Sequence, residues 1–427
     1  MFNKLMDVLA EEIALKKIVI ELATNLIIGA LLWVDDVVTC VEGEVNQTSV
    51  LNIVNTFATD HKLKWGQEKC NVMKIGNHSD QNEWELGDLT IQSCSSYKYL
   101  GDIISNNGKN KDNISDRKKK VIGSTMSINT IAANEVLNKV ETMVILELHE
   151  KINIPGLLNN AESWDLLKTD QNELEEIETT SLKCLFNLPT KTPTPAILYS
   201  LGTLYTTIRV DKKQLLYLHR LLNREPQHWT RQAFNVLQRL DIGWAKQILK
   251  TLKKYELTHE FDTIKMIPFP LWKRQVTDAT EKLNKTRLIA DCHRTENGES
   301  VPKTKTQHII DKLNDPLYIR SPIQIIKRFT KKECRTLIIA RYGMLECGKN
   351  FRGTLNEKCL TCDTIDNEEH RLNECINFRS VNYLDVDDKI PFNAIYSENE
   401  ETLRNIFSRI HNVWNITNGR GSMNVPQ

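Results

Sequence analysis

The sequence predicts an α+β chain, and three observations carry that expectation. Short apolar runs punctuated by Gly76, Gly87 and Gly101 fill the first hundred residues. After Lys109 the strand signals fade, and helical periodicity dominates to about residue 350. Near the C-terminus, residue types that bind metals crowd into one short segment, Cys359 to Cys375. A chain of 427 residues, 40% hydrophobic and 26% charged, can bury substantial cores in more than one domain and is not a disordered chain.

The elements follow in order. Phe2, Leu5, Met6, Leu9 and Ile13 have helical spacing and predict a helix over residues 1–17. LIIGALLWV and VVTCV, within residues 26–41, read as two strands meeting at Asp35-Asp36. A helix over 46–61 would bury Val50, Ile53, Val54 and Phe57. CNVMKIG, LTIQ and YKYLGDIIS are strand-like. Thr169-Asp170 can cap a helix that buries Leu174, Ile177, Leu182 and Leu185 and stops at Pro189. Further helices are expected over 211–223, 230–240, 244–255 and 322–342. The polar stretch 292–306 is the best linker, and Leu403, Ile406, Phe407, Ile410 and Val413 predict a final helix. Trp164, Trp229, Trp244 and Trp272 are expected in the core.

Two adjacent carboxylates inside LLWVDDVVTC need a reason, because an apolar strand excludes unpaired charge. A second pair, Asp387-Asp388, lies among polar residues before a proline and reads as a solvated loop. At the turn of a hairpin, Asp35 and Asp36 would leave the apolar layers and could hold a hard divalent cation such as Mg²⁺. Two such ions clamp the attacking and leaving oxygens in nucleotidyl transfer.

The neighbouring residues extend this reading. Trp33-Val34-Asp35-Asp36 is followed by a helix, then by Leu63-Lys64-Trp65 and Glu68-Lys69-Cys70, then by Tyr97-Lys98-Tyr99-Leu100-Gly101. In this order the segments resemble the reverse transcriptases of non-LTR, LINE-type retrotransposons, over about a hundred residues. The segment from Met1-Phe2-Asn3 to Leu9 is similar to the end of the motif that precedes the family's catalytic strands. The resemblance implies a partial reverse-transcriptase palm over 1–108, a helical thumb over 109–165, a helical linker region over 166–350, and a zinc module with a helical tail over 351–427. It implies Asp35 and Asp36 as magnesium-binding catalytic carboxylates, and Lys69 as a general acid for the pyrophosphate leaving group. Tyr97, Tyr99, Leu100 and Gly101 would form a primer grip. The partners it implies are an RNA template and a DNA primer or target.

Two departures from the family pattern stand out. Trp33 and Val34 are bulkier than the usual Tyr or Phe and Ala. The family's third metal-binding aspartate lies on an earlier strand than any in this sequence, and Asp7 reads as a solvated helix residue. The expectation is therefore that this chain alone has no polymerase activity. The tail after residue 375 has no Pro-Asp step, and no nuclease chemistry is expected from it.

Cys359, Cys362, His370 and Cys375 have the spacing C-x2-C-x7-H-x4-C, a Cys₃His set suited to tetrahedral Zn²⁺. LINE-type proteins carry a similar motif downstream of the polymerase. Asp363, Asp366, Glu368 and Glu369 make the loop before the histidine acidic, which favours a scaffolding role over phosphate contact. The net charge of +1 conceals a local excess: from Lys109 to Lys120 there are six basic and two acidic residues. Arg117, Lys118, Lys119 and Lys120 are the candidate nucleic-acid contacts of the thumb. The scattered remaining cysteines and the lack of a secretory signal suit an intracellular protein, in cytoplasm or nucleus, with no membrane span.

Overall fold

The computed structural model describes residues 2–23, 26–76, 83–133, 141–296, 299–302, 306–315, 323–345, 347, 357–375 and 390–414. Helix and strand are both present, as the α+β expectation requires. Asp387-Asp388 falls outside the described residues.

Helix α1 (Phe2–Leu15) buries Met6, Leu9 and Ile13, the stripe its spacing predicts. Strand β1 (Ile20–Ala23) pairs antiparallel with β2 (Leu26–Ile28), and β3 (Ala30–Trp33) pairs antiparallel with β4 (Asp36–Thr39). The run from Leu26 to Val34 is therefore two strands, not one. It breaks at Gly29, where a Cβ would sit 3.1 Å from Val19 and 3.2 Å from Ile13. Strand β1 lies outside the expected elements because Glu21 interrupts its apolar pattern.

Helix α2 (Glu44–Asp60) buries Val50, Leu51, Val54, Phe57 and Ala58. Strand β5 (Asn71–Met73) runs parallel to β7 (Leu89–Cys94), and β6 (Glu83–Leu86) pairs with β7 antiparallel, so the sheet order is β5-β7-β6. The sequence reading missed β6, which turns Trp84 and Leu86 inward between exposed glutamates. Strands β8 (Ser96–Tyr99) and β9 (Asp102–Ser105) form a hairpin around Leu100 and Gly101, both with positive φ. That pattern is the two-residue turn whose twist matches paired strands.

Helices follow: α3 (Lys111–Ala133), α4 (Thr142–Leu148), α5 (Ile154–Leu158), α6 (Lys168–Leu185), α7 (Thr194–Leu201), α8 (Thr206–Leu222), α9 (Trp229–Leu240), α10 (Gly243–Lys254), α11 (Phe261–Met266) and α12 (Phe269–Asp291). The start of α6 is set by Asp170 in its first turn, whose carboxylate accepts from the Leu167 N–H at 3.0 Å. Part of the expected linker is ordered instead as a hairpin of β10 (His293–Glu296) and β11 (Glu299–Pro302). Helix α13 (Gln307–Asn314) comes next. The helix expected over 322–342 is two, α14 (Ile323–Ile326) and α15 (Lys331–Arg341). Thr330 begins the second with a reciprocal cap to Glu333, the T-x-x-E signature of a helix start. Helix α16 (Glu400–Trp414) buries Leu403, Ile406, Phe407 and Ile410.

The chain divides into two compact units, and neither is continuous in sequence. One comprises 1–116, 160–166 and 214–273; the other comprises 117–159, 167–213 and 274–427. This interleaving differs from the consecutive division at 108, 165 and 350. In the first unit Met6, Leu9, Ile13, Val50, Val54, Phe57, Trp84 and Ile91 share one core. In the second, Leu182, Phe186, Ile197, Leu337 and Ile338 pack in a core that also takes in Leu372 and Ile406. Trp164, Trp244 and Trp272 are buried, and the indoles of Trp244 and Trp272 donate to backbone carbonyls at 2.9 Å. Trp229 is 50% exposed, contrary to the core expectation, because it sits on the first turn of α9. Among the described residues, no helix is long and apolar enough to cross a membrane.

Candidate metal centre and carboxylate hairpin

The four metal-ligand candidates converge. Each of Cys359, Cys362, His370 and Cys375 offers one ligand atom, and these atoms lie within 4.8 Å of one another. The Cys375 sulfur is 3.7 Å from that of Cys359 and 3.9 Å from that of Cys362. Disulfides need about 2.0 Å. Two thiolates about 2.3 Å from a tetrahedral zinc stand about 3.8 Å apart, so the sulfur spacing fits that ion. All four ligands come from protein, which leaves no open position for catalysis.

Local backbone explains the convergence. Residues 357–366 fold back on themselves, with Lys358 bridging to Ile365 and the Cys359 N–H donating to Thr364 O at 2.8 Å. Asp363 takes the left-handed conformation at the bend. His370 and Cys375 are five residues apart, which on an α-helix separates side chains by about 140°. A single π turn over His370–Glu374 corrects this: the Cys375 N–H donates to His370 O at 2.7 Å. The x4 step therefore reaches one face only because the helix is widened, and not by α-helical spacing.

Two further groups, invisible to spacing, orient the histidine. Thr364 Oγ1 lies 3.1 Å from His370 Nδ1, and Glu374 Oε2 lies 3.5 Å from the same atom. Thr364 Oγ1 also lies 3.4 Å from Nε2, so these contacts hold the ring in place while either nitrogen can serve as the metal ligand. Burial raises the Cys359 thiol, but hydrogen bonds from His370, from the Thr361 and Cys362 backbone and from Cys375 outweigh it and pull it down to about 6. Cys359 is thus mostly thiolate at neutral pH, the form that ligates metal.

The acidic loop is largely tied up inside the centre. Asp366 makes a buried bidentate pair with Arg371, both contacts 2.6 Å. Glu369 accepts from Asn373 at 2.6 Å and from the Phe392 N–H at 2.7 Å. Asp363 pairs with Lys358 at 3.1 Å. Of these, Asp366 and Glu369 hold the module together from within, and the Asp363–Lys358 pair is exposed to solvent.

Asp35 lies in the hairpin turn and Asp36 opens β4 beside it, so the turn falls one residue earlier than one centred on the carboxylate pair. Trp33 pairs with Asp36, which leaves Val34 and Asp35 as a two-residue loop, and both carboxylates are exposed. Val34 has φ +55°, a left-handed conformation that a β-branched residue rarely adopts. Lys69 is exposed, and its carbonyl accepts from Tyr97 Oη at 2.7 Å. Burial raises the Tyr97 and Tyr99 phenols first, and the negative charge of Asp36 raises both further. Asp36, the two tyrosines and the Lys69 backbone therefore share one neighbourhood, with Leu100 and Gly101 at the adjoining turn. Among the described residues, no third carboxylate groups with Asp35 and Asp36. Asp7 is exposed on α1.

The basic run contributes fewer cations than its sequence promised. Arg117 is only 3% exposed, and its guanidinium reaches the Asn159 carbonyl at 3.5 Å. Position 117 falls on the inward face of α3, beside Ile114 and Val121, so Arg117 is corrected from a phosphate contact to a packed residue. Lys118, Lys119 and Lys120 are exposed. Compared with known protein families and with curated proteins, the chain matches none.

Proposed function

We propose that this chain is the C-terminal portion of a LINE-type reverse transcriptase. In this reading β3 and β4 are the catalytic hairpin of a partial palm, β8 and β9 the primer grip, and α3 the start of the thumb. Residues 357–375 form a structural zinc module. The observation that carries the reading is the turn at Val34-Asp35, where a strained residue leaves two carboxylates exposed and Asp36 near Tyr97 and Tyr99, with Tyr97 bonded to the Lys69 backbone. Strain of this kind persists where the surrounding structure over-determines a backbone, and it clusters at functional sites. Asp35 and Asp36 would hold Mg²⁺, and Lys69 would protonate the leaving pyrophosphate. Template and primer phosphates would meet Lys118, Lys119 and Lys120.

Two carboxylates alone cannot hold two ions in transfer geometry, so the 427-residue chain is expected to bind primer–template without extending it. Fluorescence anisotropy with a labelled RNA–DNA primer–template between 50 and 200 mM salt tests the first half. The three contacts of Lys118, Lys119 and Lys120 alone predict affinity falling by at least about 40-fold over that range, and more if other basic residues also touch phosphate. Absence of salt-sensitive binding would sink the reading. Primer extension with Mg²⁺ or Mn²⁺ tests the second half, and robust templated synthesis would refute the incomplete site.

A further inference from the structure

Helices α9 and α10 pack against each other in the first unit and carry an unusual charge balance. From Trp229 to Lys254 there are six basic residues and one acidic residue, in a chain whose totals are 56 and 55. Ordinary solvated faces intersperse both signs, so the single-sign stretch is not background composition.

The basic residues are also ordered. Helix α10 buries Trp244, Ala245, Ile248, Thr251 and Leu252. At about 100° per residue, Lys246, Lys250 and Lys253 fall within roughly 60° of one another on the opposite side. All three are exposed. They span about 10 Å along the helix, a length over which one strand of a duplex presents about three phosphates. Arg239, exposed near the end of α9, extends the same sign of charge. Lys254 lies over the Tyr255 ring at 5.2 Å and is not counted in the row. The one acid, Asp241, pairs with Lys246 at 2.8 Å, and both side chains are about half exposed or more. Exposed pairs of this kind are weak, so a phosphate can displace the carboxylate.

We infer that the outer face of α10, built from Lys246, Lys250 and Lys253, is a binding surface for the phosphate backbone of a nucleic-acid duplex. Its chemistry is that of a backbone track: ammonium groups in a line and no carboxylate on the helix. A duplex is favoured over a lipid surface because the row itself is lysine throughout and the buried apolar residues of α10, Trp244, Ala245, Ile248 and Leu252, point the other way, with half-buried Leu249 only flanking the row. The choice of nucleic acid as the polyanion rests on the function proposed above. The row itself does not.

The test uses the full chain and a labelled RNA–DNA duplex, with affinity measured by anisotropy across salt. Lys246→Gln/Lys250→Gln/Lys253→Gln is expected to weaken binding at least tenfold and to reduce the slope of log affinity against log salt by about 3. Asp241→Asn is expected to tighten binding about twofold. Asp241 is in the left-handed region, which asparagine tolerates, so this variant keeps the cap of α9. Unchanged affinity and slope in the triple variant, with circular dichroism showing it folded, overturns the inference. So does vesicle binding: if the triple variant loses affinity for phosphatidylserine vesicles but keeps duplex affinity, the face belongs to membranes. A parallel Lys118→Gln/Lys119→Gln/Lys120→Gln variant separates the two readings. If it alone loses affinity, the thumb reading stands and this one falls. A wild-type chain that binds no duplex defeats both.

Discussion

A single half-buried side chain, His308, sets an acid sensitivity that the sequence does not advertise. Its ring lies 4.8 Å from that of Tyr342 and 5.2 Å from that of Tyr396, and its buried Nε2 finds no hydrogen-bond partner among the described residues. Burial, helped by the charges of Arg341 and Lys312, pushes the imidazole down to about 3. Unfolding restores a value near 6.5, so below that pH the unfolded chain takes up a proton that the folded chain refuses. Stability is therefore lost as pH falls from about 6.5 towards 3, and it is unaffected above 6.5. His308→Phe removes this dependence, and the variant should be more stable than wild type by about 2 kcal/mol at pH 5 and nearly equal at pH 8. Urea unfolding at the two pH values measures it, and an equal difference at both would count against the neutral ring. Glu178 works in the opposite sense. It is fully buried, yet His149 at 3.6 Å, the charge of Arg209 and the hydroxyl donated by Thr206 overcome that burial and hold its carboxyl low. Its contribution is present above the usual carboxylate value and disappears as pH falls through the depressed one.

At the scale of elements, the turn between β3 and β4 stores strain that can be measured. A left-handed L-residue costs about 1–2 kcal/mol, and Val34 bears that cost with φ +55°. Val34→Gly relieves it at a smaller entropic cost, so the variant should gain roughly 1 kcal/mol in unfolding free energy. A lower midpoint in thermal unfolding would show that the valine side chain is held by favourable packing instead. The hairpin and its carboxylates were legible because apolar runs on both sides of an Asp pair leave few alternatives to a turn. The β8–β9 hairpin was expected only through the resemblance of Tyr97 to Gly101 to a primer grip, since YKYLGDIIS by itself reads as one strand-like piece. Strand β6 was not, because Glu-Trp-Glu-Leu shows only two apolar positions. The π turn at His370 was not legible either. Spacing of ligands gives which residues must meet, and the backbone widening that lets them meet emerges only when the Cys375 N–H finds His370 O.

For the whole molecule, interleaving decides what the metal can stabilise. Sequence order suggested a separate terminal module, but composition along a chain cannot reveal that distant segments share a core. The centre is wired into the second unit: Leu372 joins its core beside Leu403 and Ile406, Asn373 donates to the Ile390 carbonyl at 2.9 Å, and Arg371 lies 5.9 Å from the Trp414 ring. The π turn that makes these contacts also supplies His370 and precedes Cys375, so metal ligation and core packing depend on the same five residues. Structural zinc contributes on the order of 10 kcal/mol to small modules that fold around it. Here chelation should do more than melt residues 357–375: it should loosen α16 and its packing on α15. Differential scanning calorimetry of protein carrying about one zinc per chain, with and without a strong chelator, is the measurement. The expected result is a lower midpoint for the transition of the second unit by several degrees, with the transition of the first unit unmoved. Cys375→Ser should reproduce the shift without chelator, and metal analysis should find its zinc lost. An unshifted second transition after complete zinc removal would mean that the core alone holds the π turn and that the metal has no structural role there.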